Sequence, residues 1–76
     1  MRNLNSFIEQ FAVTHPLEHR TGKQFDAEFA VYAAVHSITK DELAYWAAQL
    51  EVFLHENRTF VLDAERHRLF LKYRPQ

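Results

Sequence analysis

Residues 25–54 constrain the fold more than any other part of the chain, because they form a long run rich in apolar and helix-favouring residues. The run reads FDAEFAVYAAVHSITKDELAYWAAQLEVFL. At 100° per residue it divides into two patterns of helical period, separated at Ser37-Ile38-Thr39. We therefore expect two helices, over about residues 23–36 and 40–56, that pack as an antiparallel helical hairpin.

The first of these helices is apolar on both sides. Phe25, Phe29 and Tyr32 share one side, and the opposite side carries alanine and valine instead of polar residues. A helix that is apolar all round is normally buried on more than one side, and a short chain has little protein to cover it. We expect the second side to contact another copy of the chain, with an interface formed by Ala27, Ala30, Val31 and Ala34.

Three helix starts carry the spacing of a capping box, in which a hydroxyl residue is followed three positions later by Glu or Gln. The pairs are Ser6 with Glu9, Thr21 with Gln24, and Thr39 with Glu42. The first pair predicts a helix over about residues 6–14, because Pro16 disfavours the helical conformation at the residue before it. Residues 15–22 are then a loop. The second and third pairs begin the two helices described above.

The C-terminal segment has a different pattern. Two runs rich in β-branched and aromatic residues lie on either side of a short polar segment that begins at Asp63, and Leu69, Leu71 and Tyr73 alternate with polar or aromatic neighbours. This pattern predicts a two-stranded β-hairpin over about residues 59–73. A fourth helix capped by Asp63 is the alternative. The expected fold class is α+β, with three helices and a C-terminal β-hairpin in one domain over residues 1–76. This is the order of elements in a winged helix.

Composition limits the class of protein. A 47% apolar content excludes a disordered chain, and no apolar run approaches the roughly 20 residues of a membrane span. The chain has no cysteine, which fits a reducing compartment, and its first residues lack the apolar core of a signal peptide. We therefore expect a cytoplasmic protein that does not associate with membranes.

Charge is distributed unevenly along the chain. Residues 1–57 contain four basic and eight acidic residues, whereas residues 58–76 contain five basic and two acidic ones. The basic hairpin would serve either as a wing that contacts nucleic-acid phosphates or as a segment that packs on the acidic helices. The residues available for nucleic-acid contact in the first case are Arg58, Arg66, His67, Arg68, Lys72 and Arg74. Packing on the acidic helices is the favoured explanation, because the helix over residues 40–56 exposes mainly acidic residues that would repel phosphates.

No residue pattern indicates catalysis. Cysteine is absent, Ser6 and Ser37 lie at helix boundaries, and a single glycine rules out a glycine-rich phosphate loop. His15-Pro16-Leu17-Glu18-His19 matches the letters of a zinc-peptidase motif, but Pro16 interrupts the helix that this motif requires. We expect no catalytic residue, cofactor or metal. The sequence predicts a non-enzymatic interaction or regulatory module that acts as a homodimer and binds an unknown protein partner. A nucleic-acid-binding regulator of winged-helix type is the alternative.

Overall fold

A computed structural model describes residues 4–56 and 62–75, and this part of the chain is built from helices, without a strand. The four α-helices are α1 (Asn5–Thr14), α2 (Gly22–Val35), α3 (Lys40–Glu56) and α4 (Ala64–Tyr73), and a short 3-10 turn spans Leu17–His19. The expected α+β class is therefore wrong, and the domain is all-helical over the described residues.

Helix α1 has nearly the predicted length but a different start. It begins at Asn5 after Leu4, which makes no capping hydrogen bond, so the predicted capping box of Ser6 with Glu9 is wrong. The carboxylate of Glu9 lies 3.3 Å from Arg66 of α4 instead. The helix ends at Thr14, two residues before Pro16, as proline sterics predict.

The other two capping boxes are present. At the start of α2, the Thr21 hydroxyl accepts from the backbone N–H of Gln24 at 3.1 Å, and the Gln24 side chain accepts from Thr21 N–H at 2.9 Å. The same reciprocal pair joins Thr39 and Glu42 before α3, at 3.1 and 3.3 Å. Ser37 makes the turn between the two helices with a positive φ of 59°. These local bonds fix both helix starts.

The predicted β-hairpin is wrong. Asp63 caps α4, since its side chain accepts from the backbone N–H of Arg66 at 2.8 Å. Leu69 and Phe70 are both buried, and Leu71 is 45% exposed. In a strand, neighbouring side chains point to opposite faces, so burial of two neighbours fits a helix and not a strand. Residues 59–61 of the predicted first strand lie outside the described residues.

The core lies between all four helices, and α1 and α2 meet in it through aromatic rings. Phe11 contacts Phe25 and Phe29 edge to face, at centroid distances of 5.4 and 5.2 Å. Trp46 is 6% exposed and its indole N–H donates to the Asn5 side chain of α1 at 2.9 Å. The buried residues are Leu4, Ile8, Phe11, Phe25, Phe29, Ala33, Ile38, Leu43, Trp46, Ala47, Leu50, Leu69 and Phe70.

Among the described residues the two most extensive helix contacts are those of α4 with α3 and, to a smaller extent, of α4 with α1. The expected pairing of α2 with α3 is therefore not the most extensive one, and the fourth helix takes the place that the sequence assigned to a hairpin. None of the helices within residues 4–56 and 62–75 combines the length and apolar character that a bilayer span requires.

Candidate interaction surfaces

The predicted dimer residues lie together on the side of α2 that faces away from the core. Phe25, Phe29 and Ala33 occupy the buried side. The opposite side, which we call the α2 face, consists of Ala27, Ala30, Val31, Ala34 and Val35. All five are exposed, Val31 by 65% and Val35 by 73%. The helix therefore presents an apolar side that the described part of the chain leaves uncovered.

Two arginines of the predicted nucleic-acid set are used inside the domain. Arg68 donates to both carboxylate oxygens of Asp26 on α2, at 2.8 and 2.7 Å. Arg66 lies 3.0 Å from Asp63 and 3.3 Å from Glu9 of α1. The basic C-terminal segment thus packs on the acidic helices within one chain, which was the favoured explanation of the charge distribution. Arg58 lies outside the described residues.

The contact of Arg68 with Asp26 shifts the pKa of both groups. The hydrogen bonds from the guanidinium lower the pKa of the Asp26 carboxyl, and the carboxylate raises the pKa of Arg68 above its usual value. The guanidinium also lies over the start of α2, where a Cβ added to Gly22 would come within 2.5 Å of Arg68 Nη1. Glycine at this position leaves room for the ion pair that joins α4 to α2.

The remaining basic residues of α4 are exposed. The Lys72 ammonium lies 5.5 Å from the centre of the Tyr73 ring, and the Arg74 guanidinium lies 5.7 Å from the centre of the Phe70 ring. Burial, with a smaller effect of the Asp26 charge, raises the pKa of Tyr73. His67 is also exposed. Because His67 and Lys72 lie on a helix and Arg74 directly follows it, the described residues form no wing, so the predicted winged-helix order of elements is wrong. Contact of these residues with nucleic acid stays a prediction.

The histidine motif does not lie on one helix, because His15 directly follows α1 and His19 ends the 3-10 turn. His15 stacks on Phe11 with ring centres 4.2 Å apart, and its Nδ1 lies 2.7 Å from the Thr14 hydroxyl. His19 lies 3.3 Å from the neighbouring Glu18 on the 3-10 turn. Within residues 4–56 and 62–75 no three His, Cys, Asp or Glu side chains come together as a possible metal site.

The sequence interpretation missed one contact of α4. Glu65 accepts from the backbone N–H of Leu17 at 2.9 Å and so ties α4 to the 3-10 turn, a contact that no local pattern indicates. On α3, Tyr45, Val52 and Phe53 are 44%, 57% and 44% exposed. The helical spacing of Tyr45 and Val52 indicates this second exposed side in the sequence, whereas Phe53 shares a stripe with the buried Trp46 and Leu50.

Comparisons with protein-family models, with curated proteins and with solved structures find no match. The function of the chain therefore has to be argued from the surfaces of the fold itself.

Proposed function

We propose that the protein is a cytoplasmic, non-enzymatic interaction module that works as a homodimer, with the α2 face of one copy packed on that of the other. The observation that carries this proposal is the exposure of Ala27, Ala30, Val31 and Ala34, together with Val35, on one side of a helix. An absence of cysteine supports the reducing compartment.

The chemistry of the α2 face suits pairing with itself. Its alanines allow two helices to approach closely, at the lower end of the roughly 8–10 Å range of helix packing. Residues 27, 30 or 31, and 34 recur with heptad-like spacing and form one stripe. A two-fold axis through the centre of the stripe would bury the same residues on both copies.

Charge at the edge of this face favours an antiparallel arrangement. Lys23 lies on the same side of the helix, one turn before Ala27, and is exposed. In an antiparallel pair each Lys23 approaches the C-terminal end of the partner helix, where the backbone dipole is negative. A parallel pair would instead bring the two lysines together.

The expected affinity is modest. Complete burial of an exposed valine contributes about 1.5–3 kcal/mol, so Val31 and Val35, already partly covered, contribute about 1–2 kcal/mol each. The four valines of a dimer then supply about 4–8 kcal/mol, and the alanines add to this. Association costs at least about 4 kcal/mol, so the valines alone leave at most about 4 kcal/mol, which corresponds to a millimolar dissociation constant. The six alanines of a dimer, at up to roughly 0.8 kcal/mol for each buried methyl group, bring the expected constant into the high micromolar range.

Sedimentation equilibrium between about 10 and 500 μM tests the proposal. Val31→Glu and Ala34→Glu should abolish the dimer, because a charge at the centre of an apolar interface is left unpaired. Both positions are exposed, so the circular dichroism spectrum and melting temperature of the monomer should remain close to wild type.

Val13→Glu is the matched control, since Val13 of α1 is 75% exposed and lies on a different helix. This variant should dimerise normally. A wild-type chain that stays monomeric at about 500 μM, or equal effects of the glutamate at positions 13 and 31, would contradict the proposal.

A further inference from the structure

A second exposed surface runs along α3. We call it the α3 strip and define it by Tyr45, Gln49, Val52 and Phe53, with Asp41 and Glu56 at its two ends. Tyr45, Gln49, Val52 and Glu56 are separated by four, three and four residues, which is the spacing of a coiled-coil seam. Gln49 donates to the Tyr45 hydroxyl at 2.9 Å, so these two side chains are held together on the strip.

The carboxylates at the two ends of the strip have different surroundings: Asp41 lies in the first turn of α3, where the helix dipole is positive, and Glu56 is the last residue of the helix, where the dipole is negative. The arginine ion pairs of the described residues use Glu9, Asp26, Glu28 and Asp63. Neither Asp41 nor Glu56 forms an ion pair with a residue in the ranges 4–56 and 62–75. The strip is therefore an apolar surface with a carboxylate at each end that forms no ion pair with a described residue.

We propose that the α3 strip docks a basic amphipathic helix of another protein. The heptad-like spacing fits a helix with large apolar residues along one seam. Asp41 and Glu56 are 15 positions apart, or about 22 Å along the helix axis. A partner with lysine or arginine near both ends of a helix of four to five turns would therefore match both carboxylates.

A second copy of the chain does not fit the strip in the same way. Two strips packed in parallel would place Asp41 against Asp41 and Glu56 against Glu56, and an antiparallel pair would place Asp41 against Glu56. Like charges meet in either arrangement, which opposes self-pairing. The strip is thus distinct from the α2 face in both chemistry and partner.

A designed pair of peptides tests this inference. The first is an 18-residue amidated helix with leucines at heptad positions and lysines near both ends, and the second has glutamate in place of every lysine. Fluorescence anisotropy of the labelled peptides should show saturable binding of the lysine peptide with micromolar affinity. The glutamate peptide should bind at least about tenfold more weakly. The affinity for the lysine peptide should fall as the salt concentration is raised.

Two variants with the same change in charge distinguish binding at the α3 strip from non-specific attraction of the basic peptide to the acidic protein. Glu56→Lys should reduce the affinity for the lysine peptide about tenfold or more, and lysine is well tolerated at a helix C-terminus. Glu51→Lys changes the net charge equally, but Glu51 lies about 100° around the helix from Val52, so the loss should be at most about threefold. Equal losses in the two variants would overturn the inference.

The apolar part of the strip is tested by Val52→Asp, with Val13→Asp as the matched control on α1. The first should abolish peptide binding and the second should retain it. Val31→Glu should also retain binding, which keeps this test independent of the proposed dimer. The inference is overturned if the lysine peptide fails to bind at about 1 mM, or if Val52→Asp lowers the sedimentation mass, since the strip would then be a contact between copies.

Discussion

Removing the Arg68 guanidinium should loosen the attachment of α4 to α2. Its two hydrogen bonds to Asp26 are 2.8 and 2.7 Å long, and a hydrogen bond to a charged group contributes about 1.5–3 kcal/mol when shielded from water. The side chains of Arg68 and Asp26 are 39% and 24% exposed, so solvent screening reduces that value. We expect a coupling free energy of about 1–2 kcal/mol between the two residues.

A double-mutant cycle measures this coupling. Urea denaturation of wild type, Arg68→Ala, Asp26→Ala and the double variant gives the free energy of unfolding of each. The single Arg68→Ala change should also lower the melting temperature by about 4–8 °C for every kcal/mol lost. His67→Ala is the control on the same helix, because His67 is exposed and forms no ion pair with a described residue, and it should change stability by less than about 0.5 kcal/mol.

The coupling free energy between Arg68 and Asp26 should fall as the pH is lowered. Because the pKa of Asp26 is lowered in the folded state, its ion pair stabilises the fold above the ordinary aspartate pKa of about 3.9. That contribution is lost as pH falls through the lower, folded-state pKa. Two results would show that the ion pair does not hold α4 to α2. One is a coupling free energy below about 0.3 kcal/mol at pH 7, and the other is a coupling free energy that stays the same at a pH below the folded-state pKa of Asp26.

Two further predictions concern the packing around this tether and the core. Gly22→Ala should stabilise the Arg68→Ala background by about 0.4–1 kcal/mol, because alanine restricts the unfolded chain more than glycine does. In wild type the added methyl group meets the guanidinium, so the same change should gain less or destabilise the fold. Equal effects in both backgrounds would contradict this. Trp46→Ala should cost about 3–5 kcal/mol in urea denaturation, and Trp46→Phe, which keeps a ring but loses the bond to Asn5, should cost clearly less. Near-wild-type stability of Trp46→Ala would show that the indole is not part of the core.

Local chemistry explains which parts of the fold could be predicted. The starts of α2 and α3 depend on Thr21 with Gln24 and Thr39 with Glu42, which are only three residues apart in the sequence, so their capping bonds can be recognised without the rest of the chain. Trp46 and Leu50 share a helical stripe that can be recognised in the sequence, and both are buried, whereas Phe53 of the same stripe is 44% exposed. The start of α1 was misplaced because Glu9 pairs with a residue of α4 rather than with its own helix end.

Some features of the surface could also be predicted from the sequence, and others could not. The apolar composition of the α2 face was readable from the sequence, and so was the excess of basic residues in the last third. The sequence did not show which arginines are exposed, because Arg66 and Arg68 find their carboxylate partners on helices far away along the chain. The sequence likewise did not show which acidic residues of α3 lack an ion pair within residues 4–56 and 62–75.

The sequence by itself determined the existence of the three N-terminal helices, the helical stripe that contains Trp46 and the apolar character of α2, because each depends on residues within a few positions of one another. Tertiary structure decided the state of the C-terminal segment. Asp63 can begin either a turn or a helix, and the following ten residues are too short for their period to be unambiguous. Burial of the adjacent Leu69 and Phe70 against the other helices, with Arg68 bound to Asp26, selects the helix, since a strand would direct Leu69 and Phe70 to opposite faces.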